Sequence, residues 1–458
     1  MENQKIMNEL IERSKKAQLA IEDWSQEKTD QLVKAIGKAI FDHAEILSQE
    51  AIDETGFGNL PGKIGKHKSV TMANWHYMKN IKSVGVIEVD PINQIVTLAK
   101  PMGVVASVTP STNPTSTPAQ NAMIAIKGRN SVIVAPHPNA KKATSHAVEI
   151  MQDAIEKLGA PRDLVLVIEE PSLEMTNLLM ANADVILATG GFGMVKAAYS
   201  SGKPSFGVGQ GNVQTYIDET VPNLAVATAT IVGNRAMDLG VPCTGDQTVY
   251  IPRSMEKEIL DSFVENGAYL INDDALVDKI RQQAFIDGRQ NLKIIGKTPT
   301  QVAEVMELGL DVPEEARVLL VKVDQEGPTE PLAKEILCPM LRYRVYDDFK
   351  EAIEWGRTNL LMEGAGHTGT IHTSNDENIE IAGERLPVGR LMVNQAGSAA
   401  SGGPYNNGLN PTLSIGCGSW GNNSISENLT YRHLLNVTKV SRIIPGIVAP
   451  TPEEVWAD

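Results

Sequence analysis

The sequence predicts an α/β protein with at least two domains, each built on a parallel sheet. Between residues 103 and 187, short apolar segments alternate with stretches of helical periodicity, and a second such series runs from about residue 231 to 420. This alternation is typical of parallel sheets, which bind ligands at the carboxyl ends of their strands. At 458 residues the chain is also too long for one ordinary core.

The first 80 residues show helical periodicity, for example in the apolar set that runs from Leu32 to Ile46. Residues 83–99 then alternate apolar and polar side chains around Asp90-Pro91, which predicts a hairpin or an extended arm.

The first strand–helix series supplies the elements of the first sheet. We expect strands at 103–108, 131–134, 164–168 and 184–187, with helices near 116–127, 140–158 and 172–181.

The second series has strands expected near 247–252, 315–322 and 368–372. We divide the chain into domains 1–230 and 231–420 and a tail, 421–458. The tail contains several Asn, Ser and Pro residues, and we expect it to return to the first domain or to an oligomer interface.

Composition excludes several classes of function. A net charge of −15 argues against non-specific nucleic-acid binding, which needs a basic surface. No apolar run approaches the roughly 20 residues that cross a bilayer, and the N-terminus does not resemble a secretory signal. Three cysteines rule out a disulfide framework, so we expect a cytoplasmic protein. From the charge and the lack of a long apolar run, we expect no nucleic-acid or membrane partner.

Cys243 is the leading candidate nucleophile. It lies in a loop of small residues, Gly-Val-Pro-Cys-Thr-Gly (240–245), just before an expected strand. A loop thiol of this kind can be open to substrate, and its thiolate is the reactive form. The alternative is a buried, inert cysteine. Cys338 and Cys417 have weaker contexts, and without a CxxC pair no zinc site is expected.

Asn113 follows the first expected strand, in Pro-Ser-Thr-Asn-Pro (110–114). There its amide could donate to an oxyanion in the crevice above the sheet. A turn asparagine is the alternative interpretation.

Further candidates lie at the ends of other strands. The glycine turn Ala-Thr-Gly-Gly-Phe-Gly-Met (188–194) could approach a phosphate or a ring, although it is not the dinucleotide fingerprint. His137, in Ala-Pro-His-Pro (135–138), could touch a cofactor or only pack its loop. His367, in Glu-Gly-Ala-Gly-His-Thr (363–368), could transfer a proton or be structural.

Taken together, these segments resemble the aldehyde dehydrogenase superfamily, and specifically its CoA-acylating branch, over nearly the whole chain. The branch is indicated by four strings: Ala-Pro-His-Pro (135–138), Tyr-Ser-Ser-Gly-Lys-Pro (199–204), the His367 segment, and the stretch 416–428. Within that branch the strings are most similar to succinate-semialdehyde dehydrogenases, and next to the aldehyde half of bifunctional aldehyde–alcohol dehydrogenases.

The resemblance implies a Rossmann-type cofactor domain, an α/β catalytic domain and a small oligomerisation arm at 83–99. It implies that Cys243, Asn113 and His367 are catalytic. It also implies a set of residues that contact the nicotinamide cofactor: Thr112, Pro136, His137, Thr189, Gly190, Gly191, Gly209, Glu335 and Leu337.

One departure from the superfamily matters most. Hydrolytic members carry a water-activating glutamate where this chain reads Gly-Val-Gly-Gln-Gly (207–211), so that Gly207 stands in the glutamate's place. Without that base, an acyl thioester on Cys243 would persist until the CoA thiol attacks it. The resemblance therefore implies reversible conversion of an aldehyde to an acyl-CoA.

The substrate and the cofactor stay open at this point. Succinate semialdehyde is favoured, with sulfoacetaldehyde or an acetaldehyde-type substrate as alternatives, because the loop 238–244 departs from the succinate-semialdehyde group. Arg235 or Arg390 could bind an anionic group. The presence of Lys141 and Lys142 favours NADP over NAD as the cofactor. A hydrolytic enzyme, or a non-catalytic relative, are the rival interpretations. A homodimer or dimer of dimers is expected.

Overall fold

The computed structural model describes residues 2–457, apart from the side chain of Phe192, and confirms the α/β class. The strands are β1 Gly85–Asp90, β2 Ile95–Pro101, β3 Val104–Val108, β4 Ser131–Ala135, β5 Val165–Val167, β6 Val185–Thr189, β7 Ser205–Val208, β8 Val213–Ile217, β9 Asp246–Pro252, β10 Ala268–Ile271, β11 Phe285–Ile286, β12 Arg289–Gln290, β13 Val318–Lys322, β14 Met340–Tyr346, β15 Gly366–His372, β16 Val388–Val393 and β17 Leu435–Ser441.

The α-helices are α1 Glu2–Ala20, α2 Gln26–Asp42, α3 Ala44–Thr55, α4 Leu60–Met78, α5 Ser116–Lys127, α6 Lys141–Glu156, α7 Leu173–Asn182, α8 Phe192–Tyr199, α9 Leu224–Ala236, α10 Glu256–Glu265, α11 Asp274–Ala284, α12 Pro299–Val305, α13 Phe349–Met362, α14 Asp376–Arg385, α15 Gly397–Ser401 and α16 Pro452–Val455. Across residues 2–457, no helix is both long enough and apolar enough to cross a bilayer.

The first sheet has five parallel strands in the order β5-β4-β3-β6-β7. Its strands and helices lie on the predicted segments, because fully buried strands such as β3 and β4 read as continuous apolar runs. The buried helix α5 packs against α2, α4 and β4, so that the N-terminal helices cover one face of this sheet.

The second sheet has seven parallel strands in the order β10-β13-β14-β9-β8-β15-β16. Strand β8 belongs to this sheet, so the chain passes from one sheet to the other between Val208 and Val213 rather than at residue 230. Helix α9, which follows β8, spans the predicted boundary.

The predicted arm is the hairpin of β1 and β2, and β17 from the tail adds to it antiparallel to β2. Leu429, Tyr431 and Leu434, which precede β17, pack into the core of the first sheet. The segment before β17 therefore packs against the first sheet.

Candidate active site

A cleft of about 1030 Å³ opens at the carboxyl ends of the first sheet. Val108, Ala135, Thr189 and Val208 line it, and each is the last residue of its strand. The cleft brings together nearly all of the predicted site residues, from six separate parts of the chain: Thr112, Asn113, Pro136, His137, Thr189, Gly190, Gly191, Gly209, Cys243, Glu335 and Leu337. His367 is the predicted residue that does not line it.

Cys243 lies between α9 and β9 and is partly exposed to the cleft. Its loop is reached through two consecutive non-glycine residues in the left-handed region, Asp238 (φ 47°) and Leu239 (φ 55°). Such strained backbone persists only where the surroundings hold it. Burial, followed by the negative charge of Glu335, raises the pKa of the Cys243 thiol to about 12, so the resting side chain is a thiol.

Asn113 lines the cleft and is held by a lysine of α4. The ammonium of Lys66 donates to Oδ1 of Asn113 at 2.5 Å and to Oδ2 of Asp238 at 2.5 Å. The oxyanion donor proposed from the sequence is thus tied to the loop that carries Cys243.

The surroundings of the glycines in the stretch 207–211 show whether a water-activating carboxylate at each position could reach the cleft. Gly207 lies in β7, and a Cβ on it would point at Val195 and Tyr199 of α8 rather than into the cleft. The assignment of the missing glutamate to Gly207 is therefore wrong as a statement of geometry. Gly209 lines the cleft and has open space around its Cβ position.

Gly211 lies against the nucleophile loop. A Cβ built on it would fall 1.9 Å from the carbonyl oxygen of Cys243 and 3.3 Å from Cε1 of His367. No other residue type fits there without moving the Cys243 loop.

Glu335 is the one carboxylic acid among the described residues that line the cleft. Its Oε1 accepts a hydrogen bond from the amide of Gly211 at 2.9 Å. Burial raises the pKa of Glu335 to about 8, and the Gly211 hydrogen bond opposes the rise. Near pH 7 this side chain is therefore mostly protonated, and it is a poor general base.

The loop that follows Glu335 is held by Arg235. The buried guanidinium donates to the carbonyls of Ile336, Cys338 (2.5 Å) and Met340 (3.0 Å). Arg235 does not line the cleft, so the prediction that it could bind an anionic substrate group is wrong.

His367 lies one layer behind the cleft, at the start of β15. Its ring is fully buried, and within residues 2–457 neither ring nitrogen has a hydrogen-bonding partner. Burial lowers the pKa of His367 to about 3, helped by the charge of Arg390. Arg390 donates to the carbonyls of His367, Gly416 and Ser426 and likewise does not line the cleft.

The predicted NADP determinants lie outside the cleft as well. The ammonium of Lys141 pairs with Glu170 at 2.6 Å, and neither Lys141 nor Lys142 lines the cleft. His137 does line it, and its Nδ1 accepts from the amide of Asn139 at 3.2 Å, which caps the following turn.

The model of the aldehyde dehydrogenase family matches residues 1–408. The chain belongs to the aldehyde dehydrogenase family. Its relatives in that family include the succinate-semialdehyde dehydrogenase (acetylating) of Clostridium kluyveri, 47% identical over 456 residues that cover 100% of both chains. A sulfoacetaldehyde dehydrogenase of an Acholeplasma species is 39% identical over 98% of this chain and 93% of its own.

Among solved structures, an acetylating aldehyde dehydrogenase from Geobacillus thermoglucosidasius superposes with a TM-score of 0.93. It is 36% identical and covers 98% of this chain and 99% of its own. These comparisons confirm the predicted resemblance to the acylating branch of the family.

The sequence analysis missed the partly buried Lys66, which lines the cleft, and three buried residues beside it: Lys63, His67 and Asp238. The three on α4 have the spacing i, i+3, i+4, which places them on one helix face. The contacts of both lysines with Asp238, far along the chain, show that this face is packed against the rest of the protein.

Proposed function

We propose that the protein is a CoA-acylating aldehyde dehydrogenase that joins a short aldehyde to CoA through a thioester on Cys243. One observation carries the proposal. A thiol and an amide donor line one cleft, and the single carboxylic acid among the described residues that line it is mostly protonated near neutral pH. Such a site forms an acyl thioester but does not activate water to hydrolyse it.

In the first step Cys243 adds to the aldehyde carbon. The thiol proton passes to solvent in the cleft, the thiolate sulfur forms a bond to the carbonyl carbon, and the carbonyl oxygen becomes an oxyanion. Asn113 lines the same cleft, and its amide nitrogen stabilises that charge; one such donor is worth roughly 10²–10³ in rate.

In the second step the tetrahedral adduct loses hydride and becomes an acyl thioester. A nicotinamide dinucleotide bound in the cleft would supply the hydride acceptor. Glycines at the strand ends suit its close approach, since Gly191 and Gly209 have open space where a Cβ would stand. We assign binding of the nicotinamide ribose to Glu335. The assay described below decides between NADP and NAD.

In the third step the CoA thiol attacks the thioester and Cys243 leaves as a thiolate. One thioester replaces another, so the exchange is nearly balanced and the enzyme also runs from acyl-CoA to aldehyde. We keep His367 as a candidate for proton transfer in this step, because its buried ring nitrogens have no partner within residues 2–457.

We propose a short anionic aldehyde as the substrate, with succinate semialdehyde favoured. The acetylating succinate-semialdehyde dehydrogenase is 47% identical over the full chain, which supports this choice. The cleft also presents hydroxyls of Ser69, Ser398 and Tyr405 that can bind a carboxylate. Sulfoacetaldehyde is the second candidate, supported by relatives at 39% and 36% identity.

CoA dependence tests the proposal. We expect aldehyde-dependent NAD(P)H formation to require CoA and to yield acyl-CoA, for a panel of short aldehydes with either nicotinamide. Cys243→Ala should abolish it, while Cys417→Ala, which changes a thiol that does not line the cleft, should not. NAD(P)H formation without CoA would refute the acylating function, and a full CoA-dependent rate in His367→Gln would remove His367 from it.

We further propose a homodimer or a dimer of dimers in the cytoplasm. Exposed apolar side chains on the arm and the tail support association, among them Ile92 and Ile443. All three cysteines are free, which suits a reducing compartment.

A further inference from the structure

A buried charge cluster links helix α4 to the loop before Cys243. The side chain of Asp238 is fully buried, that of Lys63 is 3% exposed and that of Lys66 is 10% exposed. Oδ2 of Asp238 accepts from both ammoniums, at 3.3 Å from Lys63 and 2.5 Å from Lys66. Charged groups are buried in this way only when they are paired.

Asp238 also fixes the start of α4. Its Oδ1 accepts a hydrogen bond from the amide of Asn59, the N-cap of α4, at 2.8 Å. Gly58 (φ +78°) makes room for this contact, since a Cβ there would lie 2.0 Å from Oδ1. One carboxylate therefore holds the helix, both lysines and the strained turn that leads to Cys243.

The same lysines hold the segment that carries the oxyanion donor. Lys66 donates to Oδ1 of Asn113 at 2.5 Å, and Lys63 donates to the carbonyl of Thr112 at 3.3 Å. An ammonium has donors and no acceptor, so the oxygen of the Asn113 amide faces Lys66 and the nitrogen is turned away. Within residues 2–457 no protein group accepts from that nitrogen, which leaves its N–H groups for a ligand in the cleft.

We propose that Lys66 is a positioning residue, held by Asp238, which fixes the Asn113 amide so that its N–H groups face the oxyanion formed on Cys243. This inference rests on the roles of Cys243 and Asn113 in the proposed function. Lys66 is also a positive charge beside the thiol and lowers the pKa of Cys243 against the larger effect of burial. A purely structural ion pair is the competing explanation.

A double-mutant cycle separates the two explanations. The variants are Lys66→Met, Asn113→Ala and the double variant, with Lys68→Met, an exposed lysine of the same helix, as the matched control. If Lys66 acts through Asn113, Lys66→Met lowers kcat about 10-fold in the native background and less than about 2-fold in the Asn113→Ala background. A structural role predicts equal losses in both backgrounds and would overturn the inference.

Acylation of Cys243 by p-nitrophenyl acetate provides a readout that needs neither CoA nor nicotinamide. Its tetrahedral intermediate also carries an oxyanion, so the burst of nitrophenolate should show the same non-additivity. If the burst losses are non-additive but aldehyde oxidation does not depend on CoA, the proposed function is refuted and the role of Lys66 stands. If oxidation depends on CoA but the losses are additive, the proposed function stands and the role of Lys66 is refuted. If the wild-type protein is not acylated at Cys243, both are refuted.

Lys66→Arg repeats the cycle if Lys66→Met does not fold. The guanidinium keeps the charge that pairs with Asp238, but its planar fork cannot reproduce the single contact with Asn113. We expect a smaller burst rate in the native background and an unchanged one in the Asn113→Ala background. Equal losses in the two backgrounds would again overturn the inference.

Discussion

Glu335 is the one carboxylic acid among the described residues that line the same cleft as Cys243. Burial raises its pKa to about 8, the Gly211 amide at 2.9 Å lowers it again in part, and the charge of Glu363 adds to the rise. The amide of Glu335 in turn donates to Oε1 of Glu363 at 2.8 Å, which keeps the two acids together. With a pKa of about 8, Glu335 is mostly protonated at pH 7 and is then a poor base for the attack of water on a thioester.

We therefore expect hydrolysis of acyl-Cys243 to increase as the pH rises through 8. With a pKa of about 8 the ionised fraction of Glu335 grows about tenfold from pH 7 to pH 9, and the ionised form is the base. The steady-state release of nitrophenolate that follows the acylation burst measures this step without CoA. Glu335→Gln should show only the slope due to hydroxide, and an identical pH dependence in both proteins would contradict the prediction.

At the scale of elements, α4 owes its position in part to one close approach, at Gly62. A Cβ on Gly62 would lie 2.8 Å from the Cα and Cβ atoms of Asp238, so the first turn of the helix packs directly on the strained turn. Gly65, three residues later on the same helix, has nothing within 4 Å of its Cβ position. The two glycines therefore lie on the same helix, but only Gly62 packs against another segment.

Gly62→Ala should therefore lower the free energy of unfolding by about 1–3 kcal/mol, the usual cost of overpacking. Gly65→Ala should instead raise it, by at most about 1 kcal/mol, because alanine is the better helix former. Urea unfolding of the two variants compares these signs directly. A loss of equal size in both would show that α4 is not held by its contact with Asp238.

The strands of the first sheet were predictable because buried parallel strands are short apolar runs between helices. The orientation of Gly207 was not predictable, because matching a motif gives the order of residues but not the face of the strand on which each lies. The lysines of α4 were missed for a related reason. Lys66 and its partner Asp238 are 172 residues apart, and no local pattern reveals a pairing of that range.

At the scale of the whole molecule, the three-stranded sheet and the tail form the surface with the most exposed apolar side chains that we describe. Ile443 is 90% exposed, Val448 84% and Trp456 81%, and Ile92 of the arm is 80% exposed. Within residues 2–457, β17 pairs with β2 along one edge and leaves its other edge open. An open strand edge beside apolar side chains is a template for association.

Lysine substitutions on this surface should dissociate the assembly. We expect the native protein to have two or four times the mass of one chain by light scattering, and Ile443→Lys with Val448→Lys to shift it towards a single chain. The reason is that a buried ammonium without a partner is costly, whereas an exposed one is not. Leu19→Lys is the matched control, because Leu19 is an exposed apolar residue of α1 and belongs to neither the arm nor the tail, and this variant should leave the mass unchanged. A native protein with the mass of one chain, or lysine variants that keep the native mass, would show that this surface does not hold the subunits together.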